Sequence, residues 1–264
     1  MANAPTPSAA RPVAVVTGSS RGLGRGIAIA LAGAGCDVVV HHRNSEAEAA
    51  ETVAAVEGAG RRAVVLQGDV SEPATAKALV DAAHELGGLD VWVNNAGVSV
   101  LAPLATTDPE DLRWMLEVNV LGTLHGLQAA AADMQASGGG RIVNVASEVG
   151  VQAFPLLGAY AATKFAVVGL TQAAALELAA VGITVNAIGP GTAETDMVLA
   201  ERRSEVAITG DVADTVRQSY LDGIPAGRFC DPADVGGLVA YLASPAAAYV
   251  TGQTLLVNGG SVLR

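Results

Sequence analysis

The sequence predicts an α/β protein of doubly wound type: one parallel seven-stranded sheet with helices on both faces. Three observations carry this reading. Short β-branched apolar runs recur seven times from Val13 onward. Helical stretches separate them, and runs this apolar belong to strands covered on both sides. No Pro/Gly-rich linker or run of charge divides the 264 residues, so one domain is expected.

The first run, 13–17, feeds a helix over 22–33. Strands follow at 37–41, 62–67, 90–94, 141–147, 183–188 and 254–257, with helices over 45–58, 73–87, 109–136, 158–180 and 232–243. Asp231 and Pro232 read as the N-cap and first-turn proline of the last helix. Residues 191–228 break the rhythm, with mixed polarity and no strand. They leave the carboxyl edge of the sheet, where open α/β sheets bind ligands, and are expected to form a substrate lid; the alternative is a packed helical pair without a role. Residues 1–12 read as a disordered tail and not a signal peptide, leaving 13–264 as the folded domain.

The net charge of −11 argues against nucleic acid or an anionic membrane as partner. No membrane-spanning helix is expected. The two cysteines, Cys36 and Cys230, stand outside any CxxC or Cys/His cluster. A reducing, cytoplasmic setting and no metal site are expected.

The stretch "TGSSRGLG" (17–24) follows the first strand and opens a helix. Gly18, Gly22 and Gly24 allow a tight turn and close approach to a pyrophosphate, and the helix amino end offers free N–H groups. In that setting the pattern predicts a dinucleotide-binding, Rossmann-type domain, with Ser20, Arg21 and Leu23 completing the loop. An acidic residue ending the second strand would select NAD. Here His42, Arg43 and Asn44 stand instead, and Arg21 lies in the loop itself. Two arginines and no carboxylate predict NADP(H) as the preferred cofactor, with NAD(H) possible.

Positive charge is written almost entirely as arginine; Lys77 and Lys164 are the only lysines. Lys164 stands four residues after Tyr160, one helical turn away on the same face. An ammonium there favours the phenolate of a neighbouring tyrosine, and unlike arginine it can pass a proton on.

These motifs, with "NNAG" at 94–97, Ser147 ending a strand and "PG" at 190–191, come in order along the chain. Together they resemble the short-chain dehydrogenase/reductases over about residues 12–264. The resemblance implies that Tyr160 gives a proton to the alkoxide left by hydride transfer, and that Ser147 donates a hydrogen bond to the same oxygen. It has Lys164 hold the nicotinamide ribose and pass protons to a water kept by Asn119. It places Asp69, followed by Val70, at the adenine. Asn94, Asn95, Ala96 and Gly97 fall on the adenosine side, and Pro190, Gly191, Thr192 and Thr195 at the nicotinamide carboxamide and phosphates. It also implies a homotetramer or dimer, in keeping with the Ala/Leu-rich faces of the helices at 109–136 and 158–180.

Residues 154–191 and the ending "YLASPAAAYVTGQTLLVNGG" are especially similar to acetoin/diacetyl reductases and polyol dehydrogenases, which implies a small carbonyl or alcohol substrate. His42 departs from the acidic residue those enzymes commonly carry. The alternative is a 3-oxoacyl-[acyl-carrier-protein] reductase, but residues 129–137 and 177–182, where that group places its arginines, hold no basic residue. A non-catalytic NADP(H)-binding scaffold is the alternative of another class. Glu148, after the catalytic serine, is expected to face outward; facing the pocket, it would disfavour anionic substrates.

Overall fold

Each apolar run becomes a strand of a single sheet. The computed structural model describes residues 11–263; of the expected tail, only Arg11 and Pro12 lie among the described residues. The strands are β1 (Val13–Val16), β2 (Asp37–His42), β3 (Ala63–Gln67), β4 (Val91–Asn94), β5 (Gly140–Val145), β6 (Ile183–Pro190) and β7 (Thr254–Val257). They pair in the order β3-β2-β1-β4-β5-β6-β7, every pair parallel. The order reverses between β1 and β4, which opens a crevice at the carboxyl ends of the strands.

The helices are α1 (Gly22–Gly33), α2 (Glu46–Gly58), α3 (Pro73–Leu86), α4 (Pro109–Met115), α5 (Gly122–Ser137), α6 (Gly158–Leu178), α7 (Asp196–Thr209), α8 (Ala213–Asp222) and α9 (Pro232–Ala243). Strand alternation divides the core into two layers. Ala14, Val16, Val38 and Val40 pack with Ile27 and Leu31 of α1 and Val235 and Val239 of α9. Val13, Val15, Val39 and Trp92 face the other way, onto Leu79, Leu127, Met134 and Leu178. Each such aliphatic side chain contributes about 1.5–3 kcal/mol by leaving water. α1 and α9 cross at bare backbone: a Cβ on Gly236 would lie 2.7 Å from the Gly26 carbonyl.

Three boundaries differ from expectation. The helix expected over 109–136 is broken by a π-helical segment, Leu116–Leu121, between α4 and α5. The strand expected to end at Ser147 stops at Val145, so Ser147 instead caps a short 3-10 turn, its hydroxyl accepting from the Val149 amide at 3.2 Å. β6 runs on to Pro190. Asp231 does cap α9, in a reciprocal capping box with Asp234.

Among the described residues, one helical stretch, Gly158–Val181, is long and apolar enough to cross a membrane by length and composition. It packs on β6 and carries buried Lys164.

Candidate active site

A cavity of about 930 Å³ opens at the carboxyl ends of the strands and collects most of the residues singled out in the sequence. Gly18, Ser20, Arg21, Gly22, Leu23 and Gly24 form one wall. α1 starts without a side-chain cap or an acidic residue in its first turn, so its first amides keep their hydrogen-bonding capacity for an anion. Gly22 takes φ +56°, which favours glycine. A Cβ on Gly24 would collide with the Gly18 carbonyl at 2.3 Å. The cradle fits a dinucleotide pyrophosphate.

The loop is braced from below by a residue the sequence reading passed over. Gly18 N donates to His41 Nδ1 at 3.0 Å, and His41 Nε2 lies 3.1 Å from the Gly68 carbonyl. Nδ1 therefore accepts and Nε2 carries the proton, which requires a neutral ring. Burial agrees, lowering the imidazole to about 4. His42, the residue expected to matter, is also buried but lines the cavity while accepting from the Ser45 amide at 3.1 Å. A polar residue at the carboxyl end of a strand beside a glycine loop was the available signal for His41.

Arg21 and Arg43 both line the cavity. Arg21 lies 3.3 Å from Asp196 and 4.0 Å from Glu48, and Arg43 is 3.3 Å from Asp69. Burial pushes the Asp69 carboxyl up, but Ser71 and Arg43 outweigh it and hold the group below its usual range. Asn44, Val70, Asn95, Ala96 and Gly97 complete this side. Asn95 Nδ2 donates to the Thr17 and Gly18 carbonyls at 2.8 and 3.1 Å. Asn94 lies deeper: it accepts from Trp92 Nε1 and donates to Asn144 Oδ1, tying β4 to β5.

Ser147, Tyr160 and Lys164 meet on the opposite wall with Pro190, Gly191, Thr192 and Thr195. Thr195 caps α7, accepting from the Val198 amide. Lys164 Nζ donates to the Val145 carbonyl at 3.0 Å and lies 5.6 Å from the centre of the Tyr160 ring. Burial lowers this lysine to about 8. In the free protein the Tyr160 hydroxyl shifts away from the phenolate. Burial raises the Tyr160 hydroxyl well above its ordinary value, the Glu201 carboxylate raises it further, and Ser147 only partly offsets them.

Asn119 sits in the π-helical segment, which turns its side chain inward. Its Oδ1 accepts from Val98 N, and its Nδ2 donates to Val98 O and Thr163 Oγ1, at 2.8, 2.8 and 3.0 Å. That side chain is therefore committed to protein partners. Gly97 separates it from Lys164: a Cβ there would lie 3.2 Å from Asn119 Oδ1 and 3.5 Å from Lys164 Nζ.

Glu148 overturns its outward assignment. It is buried, lines the cavity, and accepts from Asn258 Nδ2 at 3.2 Å and from the Ser261 hydroxyl. Burial raises its carboxyl, against those two hydrogen bonds. The 191–228 segment is a helical pair, α7 and α8. It walls the cavity with Met197, Val198, Glu201, Glu205, Ser219 and Tyr220, none of which the sequence reading named.

Comparison with known proteins follows the same lines. Residues 12–206 match the family described as short chain dehydrogenase. The chain is 45% identical to the L-2,3-butanediol dehydrogenase of Corynebacterium glutamicum, covering 94% of this chain and 97% of that one. It is 41% identical to an (S)-acetoin-forming diacetyl reductase of Staphylococcus epidermidis (95% and 98% covered). With a 3-oxoacyl-[acyl-carrier-protein] reductase of Staphylococcus aureus it shares 37% identity (94% and 96%). A solved Agrobacterium tumefaciens structure with bound NADP superposes with a TM-score of 0.84 at 36% identity, covering 96% of this chain and 97% of that one. The chain belongs to the short chain dehydrogenase family and is an NAD(P)-dependent oxidoreductase acting on CH–OH groups.

Proposed function

We propose that the chain interconverts a small hydroxyketone or diketone, or a polyol, with its redox partner, using NADP(H) in preference to NAD(H). The observation that carries this reading is the convergence of Ser147, Tyr160 and Lys164 on the cavity that also holds the glycine loop. A nicotinamide bound there would supply or accept the hydride. Tyr160, kept protonated by burial, is in the right form to give its proton to the developing alkoxide. Ser147 donates to the same oxygen and stabilises its charge. Lys164, lowered to about 8, exchanges protons near neutral pH, which arginine cannot do. Asn119 lies across Gly97 from it and would keep the water that takes its protons.

The cofactor preference rests on Arg21 and Arg43 beside the loop, with no carboxylate ending β2. Their ion pairs are half-exposed; such pairs contribute roughly 0–1 kcal/mol, so either arginine can turn to a phosphate at little cost. The relative solved with NADP supports the same choice. The butanediol and diacetyl relatives support a small substrate, and residues 129–137 and 177–182 offer no basic docking site for an acidic carrier. α7 and α8 act as its lid. Exposed Phe165 and Leu176 on α6 favour a homotetramer or dimer, and the setting proposed is cytoplasmic.

The test is a substrate panel followed by nicotinamide absorbance, covering diacetyl, acetoin, sugar alcohols and 3-oxoacyl thioesters with NADPH and NADH. Diacetyl or acetoin should turn over fastest, and faster with NADPH. Nucleotide binding without turnover of any carbonyl or alcohol would leave only a scaffold.

A further inference from the structure

The substrate end of the cavity has a charge pattern that a neutral diol does not explain. Three carboxylates line it: Glu148, Glu201 and Glu205. Two have partners, Glu148 in Asn258 and Ser261, and Glu205 in the Tyr220 hydroxyl at 2.8 Å. Glu201 makes no ion pair among the described residues. Burial raises its carboxyl and Glu205 raises it further, while its polar neighbour, the Ser99 hydroxyl, lowers it. Glu201 stands close enough to Tyr160 for its charge to bear on the phenol.

No cation of the lid answers it. Arg202, next along α7, turns into the base of the lid, with its guanidinium 4.7 Å from the Phe229 ring centre and 3.2 Å from Glu194. The cavity's cationic side chains are Lys164, already committed to Val145, and Arg21 and Arg43 beside the glycine loop. Among the described residues, no three acidic or imidazole groups converge as a metal site. The walls nearby include the rings of Trp114, Phe154 and Tyr220. A carboxylate without a cationic partner, a second one beside it and aromatic faces together form an environment for a small ammonium group.

We propose that Glu201 receives the ammonium group of a vicinal amino alcohol, so that amino alcohols and α-aminoketones are substrates of this site. The inference rests on the alcohol/ketone chemistry proposed above. In the oxidative direction, the carbinol carbon gives its hydrogen and electron pair to the oxidised nicotinamide. The hydroxyl gives its proton to Tyr160 in its phenolate form, which the positive charge of the oxidised nicotinamide favours. The C=O bond forms, and the C–N bond is untouched.

The probes are three near-isosteric alcohols: 1-amino-2-propanol, 1,2-propanediol and lactate, bearing a cation, a neutral hydroxyl and an anion at the same place. The wild-type enzyme should rank kcat/KM in that order. Glu201→Gln should reduce the amino-alcohol to diol ratio by about tenfold, the difference between a charge-assisted and a neutral hydrogen bond. Calorimetric titration of cofactor-loaded Tyr160→Phe with 1-amino-2-propanol, with and without Glu201→Gln, reads the same loss as binding alone. A ratio unchanged by Glu201→Gln, or lactate used as well as the amino alcohol, would overturn the assignment. Turnover of acetoin or butanediol with none of the amino alcohol defeats this inference alone. No turnover of any of them defeats it together with the function it rests on.

Discussion

Lys164 Nζ stands 5.6 Å from the centre of the Tyr160 ring and gives its hydrogen bond away from that ring, to the Val145 carbonyl. The two groups are one helical turn apart, as their spacing requires, yet burial drives each toward its neutral form. The free protein thus holds a protonated phenol suited to reduction. A phenolate for alcohol oxidation requires further positive charge in the cavity.

Replacing Tyr160 by Phe removes the proton donor while keeping the ring that packs with Met115 and Val149. Turnover should fall by about 10²–10⁴-fold, the range for positioned acid catalysis. Nucleotide affinity, measured by fluorescence titration, should change little. Retained turnover would assign the proton to another group.

Lys164 also makes the stability of the nucleotide-free protein depend on pH. Its folded value of about 8 lies below its ordinary 10.5, so between those values the unfolded chain binds more protons and stability rises with pH. Below about pH 8 the full cost of burying the ammonium applies, on the order of 3 kcal/mol. Lys164→Met should therefore be more stable than wild type at pH 7, with the gap closing toward pH 10 in denaturant titrations. A gap independent of pH would mean that the lysine is already neutral or well solvated.

Much of this was legible in the sequence because strands and the glycine loop are local. The apolar runs at 13–17 and 37–41 give β1 and β2 within a residue, since a strand buried on both faces admits little else. The chemistry of Tyr160 and Lys164 was visible as spacing, but their ionisation was not, because their burial comes from segments distant in sequence, such as Met115 against Tyr160 and Val145 against Lys164. Glu148 was misplaced for a similar reason: what draws it inward is Asn258 and Ser261, at the far end of the chain. The π-helical turn at Asn119 has no composition signal, being a register change set by the contacts to Val98 and Thr163.

Arg21 and Arg43 should separate the two cofactors. Replacing both by Ala removes charge-assisted contacts that only a 2′-phosphate can use. NADPH affinity should fall by about tenfold or more, while NADH binding falls far less. Equal loss of both nucleotides would show that the arginines hold the loop and not the phosphate.

His41 should behave in the opposite way, because it supports the loop and not a phosphate. His41→Phe leaves the Gly18 amide and the Gly68 carbonyl without their partner, at a cost of about 1–3 kcal/mol, and should weaken NADPH and NADH alike. The same ring sets an acid limit. Its folded value of about 4 lies below the ordinary 6.5, so the unfolded chain takes up the proton first as pH falls through that window, and stability declines with it. Wild type should lose more stability than His41→Phe between pH 7 and pH 5 in chemical denaturation. Parallel losses would place the acid sensitivity elsewhere and leave His41 as packing.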